Sequence, residues 1–226
     1  MIWLAEAAAV FAKDWRSELR TRYALNTIAL FALTTLVVVS LSLGPLGVSG
    51  AERRVVLPVL LWLILLFAAA AGLPRAFVHE EETHTATALR LAATPSALFC
   101  GKLAYSLTLL LALEALVTPL FLAMMQLPVE RPATLLLALL GGGYGLAAGS
   151  TLVAAIVAQA RGKGTLFAVL AFPVLMPLLL LAVDLTRSAV TGDVPGAAGA
   201  VVQQLLLYDA SVTVAGLMLF PAIWNP

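Results

Sequence analysis

Val55–Pro74 reads VVLPVLLWLILLFAAAAGLP, an unbroken apolar run without a charged side chain. A helix needs about 20 such residues to cross the hydrocarbon core of a bilayer, so this stretch reads as a transmembrane span. Five more runs on either side satisfy the same requirement: Ala24–Leu43, Leu103–Met125, Ala133–Ala158, Thr165–Val183 and Leu205–Trp224. Of the 13 basic and 12 acidic side chains, only Glu114 and Asp209 fall inside these spans. Their apolar pattern is helical or uniform, without the alternating segments of about ten residues that build an outer-membrane barrel. Apolar residues make up 62% of the chain, charged residues 11%, and the mean hydropathy is +1.03. A soluble domain carries about 25% charged residues. The sequence therefore predicts an all-α polytopic membrane protein, with one membrane domain over residues 1–226.

The basic residues orient the spans. Lys13, Arg16, Arg20 and Arg22 precede the first, Arg75, Arg90 and Lys102 lie between the second and third, and Arg161 and Lys163 lie between the fourth and fifth. The opposite loops hold only Arg53, Arg54, Arg131 and Arg187. Cytoplasmic loops are enriched in Lys and Arg, which places both termini and the loop of residues 75–102 in the cytoplasm. In residues 1–22, Leu4, Ala8, Phe11, Trp15 and Leu19 recur every three or four positions. Lys13, Arg16 and Arg20 form a basic stripe elsewhere on the same helix, with Asp14 and Glu18 interspersed. That pattern predicts an amphipathic helix lying in the membrane interface. The charges follow the first apolar residues rather than preceding them, unlike a signal peptide.

Several function classes lack their chemistry. A net charge of +1 gives no footprint for nucleic acid. The single cysteine, Cys100, forms no internal disulfide or CxxC motif. A phosphate-binding loop needs GxxxxGK[ST]; Arg161-Gly162-Lys163-Gly164-Thr165 has valine at position 157 and glycine after the lysine, and reads as a short turn. No HExxH motif or nucleophile elbow occurs. The reading is a chain without catalytic residues or a metal site, whose energy comes from a partner.

Inside the membrane, Glu114 costs about 2.5–3.5 kcal/mol on insertion scales and must face a cavity or a partner. It reads either as a polar group on a switching or conducting interface or as an acid bonded to a neighbouring helix, with Tyr105, Thr108 and Thr118 available. Gly141, Gly145 and Gly149 form a small-residue stripe, suited to internal helix packing or to a homodimer seam. Pro173 and Pro177 should bend the fifth span. Asp209 is expected near the outer interface, as an anchor.

The insert Phe77–Lys102, FVHEEETHTATALRLAATPSALFCGK, interrupts the oily chain with polar, helix-compatible sequence. A short helix starting near Glu80 would set Glu80, Glu81 and Glu82 at the positive end of its dipole. Leu89 and Leu91 follow, and Thr94-Pro95 supplies a stop. His79, His84 and Cys100 read as solvated loop residues rather than ligands.

Two segments resemble the cytochrome c maturation protein B family, also called haem exporter protein B. Lys13, Asp14, Arg16, Glu18, Leu19, Arg20 and Arg22 match its KDxRxELRxR pattern. Glu80-Glu81-Glu82, Thr85, Leu89, Leu91, Pro95, Gly101 and Lys102 follow its acidic–Thr–Leu–Pro–GK loop, and Glu114 and Pro119 continue the match. Length and layout agree over essentially the whole chain, the specific motifs over its first half. Related export permeases often read ExxGTL here, whereas this chain has Glu82-Thr83-His84-Thr85-Ala86, which makes the loop more helical. The resemblance implies a membrane subunit of an ATP-binding-cassette complex, with a separate ATPase that uses ATP and further membrane partners that handle haem. It implies support for haem delivery, or for release of the haem-loaded chaperone, in cytochrome c maturation. Glu80, Glu81, Glu82, Thr85, Leu89 and Arg90 are the expected ATPase-coupling residues, and a homodimer in the bilayer the expected assembly. No cofactor is expected on the chain itself. Four scattered tryptophans, Trp3, Trp15, Trp62 and Trp224, offer no haem surface, which favours an energy-coupling scaffold over a conducting permease. The reading from another class is the permease of a lipid, drug or polysaccharide exporter.

Overall fold

The computed structural model describes residues 2–43, 50–74, 77, 80, 85, 89, 91–158, 163–192 and 195–224. Their helices are α1 (Ile2–Thr21), α2 (Tyr23–Leu43), α3 (Gly50–Gly72), α4 (Pro95–Met125), α5 (Pro132–Ala158), α6 (Lys163–Thr191) and α7 (Pro195–Trp224). α2 to α7 are each long and apolar enough to span a membrane. The chain is thus an all-helical, multi-pass membrane protein, with no strand among the described residues.

α5 is the centre of the bundle. It packs against α6, α7 and α4, and 67% of its spanning window is buried, against 22% for α2 and for α7. Its glycines make this possible, because a helix surface without side chains lets neighbours approach closely. A Cβ at Gly141 would stand 2.6 Å from Leu205 Cδ2 of α7, and one at Gly149 would stand 2.5 Å from Leu175 Cδ2 of α6. Gly142 lies beneath the indole of Trp62 on α3, whose Nε1–H donates to Thr186 Oγ1 of α6 over 2.9 Å. The Gly141, Gly145 and Gly149 stripe is therefore filled from within the chain.

Three helices are longer than their apolar runs. α4 begins at Pro95, so Cys100, Gly101 and Lys102 lie on a helix rather than in a loop, and Thr94 is its N-cap. α6 runs on through Asp184 and Arg187, which pair at 3.5 Å, and it is continuous across Pro173 and Pro177. α7 begins at Pro195, so Asp209 sits about 21 Å along its axis at 1.5 Å per residue. That corrects its expected place near a membrane interface. Hydropathy marks where a helix is oily, and the backbone ladder continues past that point wherever i to i−4 bonds can form.

The charged loops sort to two ends. At one, the Arg53 guanidinium donates to the Met125 carbonyl and Arg54 stands 3.6 Å from Glu130. The backbone amides of Glu130 and Arg131 both donate to the Ala189 carbonyl. At the other, α1, Glu80 and the start of α4 converge.

Candidate functional site

α1 lies along the first turns of α4 because Gly101 leaves room for it: a Cβ there would stand 2.7 Å from the Ala7 carbonyl oxygen and 2.7 Å from Val10 Cβ. Polar contacts zip the same face. Trp3 Nε1–H donates to Ser96 Oγ over 2.9 Å. Glu6 Oε2 accepts from the Thr94 backbone N–H at 2.9 Å and from its hydroxyl at 2.8 Å. A helix start leaves amides unpaired and favours negative charge, so α1 supplies a cap for α4. The Thr94 amide and then its hydroxyl hold the Glu6 carboxyl below the usual carboxylate range.

The face buried on α4 is that of Ala7, Val10, Asp14 and Glu18, not the apolar stripe noted in the sequence. Leu4 and Leu19 are 65% and 51% exposed, and Phe11 stacks on Trp15 with centroids 6.2 Å apart. The helix keeps an oily face outward while its acids point in, which fits a position at a bilayer surface. Arg16 and Arg20 are exposed, whereas Asp14 and Glu18 are not; the basic stripe is split by what α4 needs.

An ionic cluster joins three parts of the chain. Lys102 is fully buried on α4, and its Nζ donates to Glu80 Oε1 at 2.5 Å and stands 3.0 Å from Asp14 Oδ2. Lys13 Nζ donates to the same Glu80 oxygen and lies 3.1 Å from Asp14 Oδ1. Two ammonium groups thus meet two carboxylates, which offsets the cost of burying each charge. Burial works against the Lys13 charge, but Asp14 and Glu80 outweigh it and hold its ammonium above the ordinary lysine range. Below the cluster, Lys102 Nζ sits 5.2 Å from the Phe77 ring centroid. Phe77 packs on Phe220 and Trp224 at the end of α7, and Phe220 on Phe99 of α4, with centroids 5.5–6.3 Å apart.

Glu18 extends the junction to α2. The chain turns between α1 and α2 at Arg22, with φ of +52°. Glu18 Oε1 accepts the Leu25 N–H at 2.8 Å, capping the start of α2, and Oε2 accepts the Tyr105 hydroxyl at 3.0 Å. Tyr105 is therefore committed to α1 and is not the partner of Glu114.

Glu80, expected among the ATPase-coupling residues, is turned inward at 3% exposure. Thr85 is exposed and Leu89 is half-buried against the core. Leu89 N–H donates to the Thr85 carbonyl and Ala93 N–H to that of Leu89, the bond spacing of a helix. Leu91 is 86% exposed. Glu81, Glu82, Arg90, His79 and His84 lie outside the described residues, as does the Arg161–Gly162 turn. Among the described residues, no group of His, Cys, Asp or Glu is arranged to hold a metal ion. No sequence pattern points to the Phe77, Phe99, Phe220 and Trp224 cluster, whose members come from distant parts of the chain.

A family model described as "CcmB protein" matches residues 5–222. The chain belongs to the CcmB family. Two bacterial relatives, each described as heme exporter protein B, are similar over almost their full length. That of Rhodobacter capsulatus is 28% identical and that of Paracoccus denitrificans 29% identical, each over 215 residues covering 94% of both chains. The match takes in both α1 and the α5–α7 part that carried no motif in the sequence, so the whole fold described above is that of a CcmB-family chain.

Proposed function

We propose that this chain is the membrane subunit of an ATP-binding-cassette complex that supports haem delivery, or release of a haem-loaded chaperone, in cytochrome c maturation. In this reading a separate ATPase hydrolyses ATP on the cytoplasmic side. Further membrane proteins handle haem, and this chain, itself not an enzyme, converts ATPase closure into helix movement. Both termini and the α1–Glu80–Lys102 junction face the cytoplasm of the bacterial inner membrane, following the basic-residue bias. The family membership and the relatives named heme exporter protein B support the haem assignment.

The observation that carries the coupling mechanism is the Lys13–Asp14–Glu80–Lys102 cluster. A segment docked on an ATPase transmits motion only if it is fastened to the helices that must move. Glu80 fastens the segment between α3 and α4 to α4 through Lys102 and to α1 through Lys13. Among the described residues, outward contact then falls to Thr85 and Leu91, with Leu89 holding the segment on the core.

The test separates docking from transmission. With the chain co-expressed with its ATPase, Leu91→Asp should abolish co-purification. Glu80→Gln should retain the ATPase but lose ATP-dependent release of haem from the assembled complex. Loss of co-purification in Glu80→Gln, or its retention in Leu91→Asp, would sink this division of roles.

A further inference from the structure

Glu114 on α4 and Asp209 on α7 lie deep in the spans, 4% and 6% exposed. They approach α5 from opposite sides. A Cβ at Gly143 would stand 2.6 Å from Glu114 Oε1, and one at Gly145 would collide with Asp209 Oδ1. Positions two apart on a helix are separated by about 3 Å along the axis and about 200° around it. The two carboxyls therefore sit at nearly one depth, with the bare backbone of α5 between them.

Among the described residues, Glu114 Oε1 and Asp209 Oδ1 have no hydrogen-bond partner. The titratable groups nearby are occupied elsewhere: the Tyr208 hydroxyl donates to the Val174 carbonyl at 2.5 Å, and the Tyr144 hydroxyl bonds Thr213 Oγ1 at 2.9 Å. On α6, Asp184 and Arg187 are exposed and pair with each other; on α4, Lys102 and Tyr105 are bound at the junction. A buried ionised carboxylate with no counter-charge takes up a proton rather than bear the desolvation cost.

The two acids differ in access. Asp209 helps line a groove of about 390 Å³ between α5 and α7, walled by Leu137, Leu140, Tyr144, Leu205 and Leu206. Leu137, Leu140 and Leu206 are exposed on the outer face of the helices, where hydrocarbon would surround them. Glu114 does not line this groove.

We propose that Asp209 is a proton-binding carboxyl open to the bilayer and held as the neutral acid, and that Glu114 is a second one, closed off behind α5. The ligand is a proton, and the groove also makes Asp209 a modification site for apolar reagents that attack protonated carboxyls. Loss of that proton would place a bare charge against a glycine face of α5, where no side chain shields the backbone.

The experiment is treatment of the full chain in lipid nanodiscs with dicyclohexylcarbodiimide near neutral pH, where an exposed aspartate (pKa about 3.9) is ionised. The carboxyl oxygen bonds the central carbon of the reagent and its proton passes to one reagent nitrogen. The acyl group then migrates to nitrogen, so a stable N-acylurea forms with no leaving group. Peptide mass spectrometry should find the adduct on Asp209 several-fold faster than on Glu114, with the rate falling as pH is raised. Asp209→Asn should abolish that adduct. Leu206→Trp, at an exposed position, should slow labelling several-fold without lowering thermal stability. A water-soluble carbodiimide should label Asp209 far more slowly. An unlabelled Asp209, equal labelling of Glu114, or equal labelling by the water-soluble reagent would overturn the proposal.

Discussion

The junction and the bundle centre use the same residue type in opposite ways. At the junction, Asp14, Glu18 and Glu80 each meet a cation or a donating hydroxyl. At the centre, Glu114 and Asp209 press against glycine an oxygen that has no partner among the described residues. A paired acid ties elements together, and its loss is felt as lost stability. An unpaired acid in the membrane is neutral, and its replacement by an amide of the same shape removes little that the fold depends on.

The largest expected effect comes from breaking the pairing side. Lys102→Met removes the ammonium that Glu80 and Asp14 share. Breaking a buried ion pair by removing one partner costs about 3–5 kcal/mol, read as a large fall in thermal midpoint in detergent. Next, Gly101→Val places a branched side chain where α1 crosses α4, and overpacking of this kind costs about 1–3 kcal/mol. Here α1 itself should lift away, exposing Arg16 and Arg20 to faster tryptic cleavage while α2 to α7 stay protected. Faster cleavage within the spans would show that α1 is not a separable element.

Tyr105→Phe takes the hydroxyl from Glu18, and an acceptor left unsatisfied costs about 1–3 kcal/mol. Restoration of stability by Tyr105→Phe combined with Glu18→Gln would show that the loss lies in this bond. By contrast, Glu114→Gln and Asp209→Asn should each shift stability by less than about 1 kcal/mol, since neither neutral acid has a partner to lose among the described residues. A drop as large as that of Lys102→Met would erase the distinction between the two regions.

The smallest effect is a pH dependence. Thr94 holds the Glu6 carboxyl below its ordinary value of 4.5, so its bond to the start of α4 is fully present above that value. It is lost as pH falls through the lower folded value. Acid titration of Trp3 fluorescence should show α1 loosening only below the ordinary range, and Glu6→Gln should remove that step.

Much of the architecture was legible in the chain. Six apolar runs define six spans because each must satisfy its backbone within one helix in a bilayer. Among the described residues, Lys13 and Lys102 meet at one end of the bundle, and Arg53, Arg54 and Arg131 lie at the other. The KDxRxELRxR and acidic–Thr–Leu–Pro–GK segments carry the family resemblance, and they supply Lys13, Asp14, Glu80 and Lys102. Their mutual contact was not legible, because positions 14, 80 and 102 have no periodic relation. It needs α1 to lie across Gly101, which no local pattern announces.

Composition and short-range order along one chain are enough to establish the solvent, the number of spans and the family. Which way each acid faces comes from packing between helices. Glu80 turns inward because Lys102 is buried beside it, and Tyr105 serves Glu18 rather than Glu114. Asp209 lies mid-helix because α7 starts well before its oily run does. Burial of a charge depends on what stands within a few ångströms of it, and in this chain those neighbours come from distant helices.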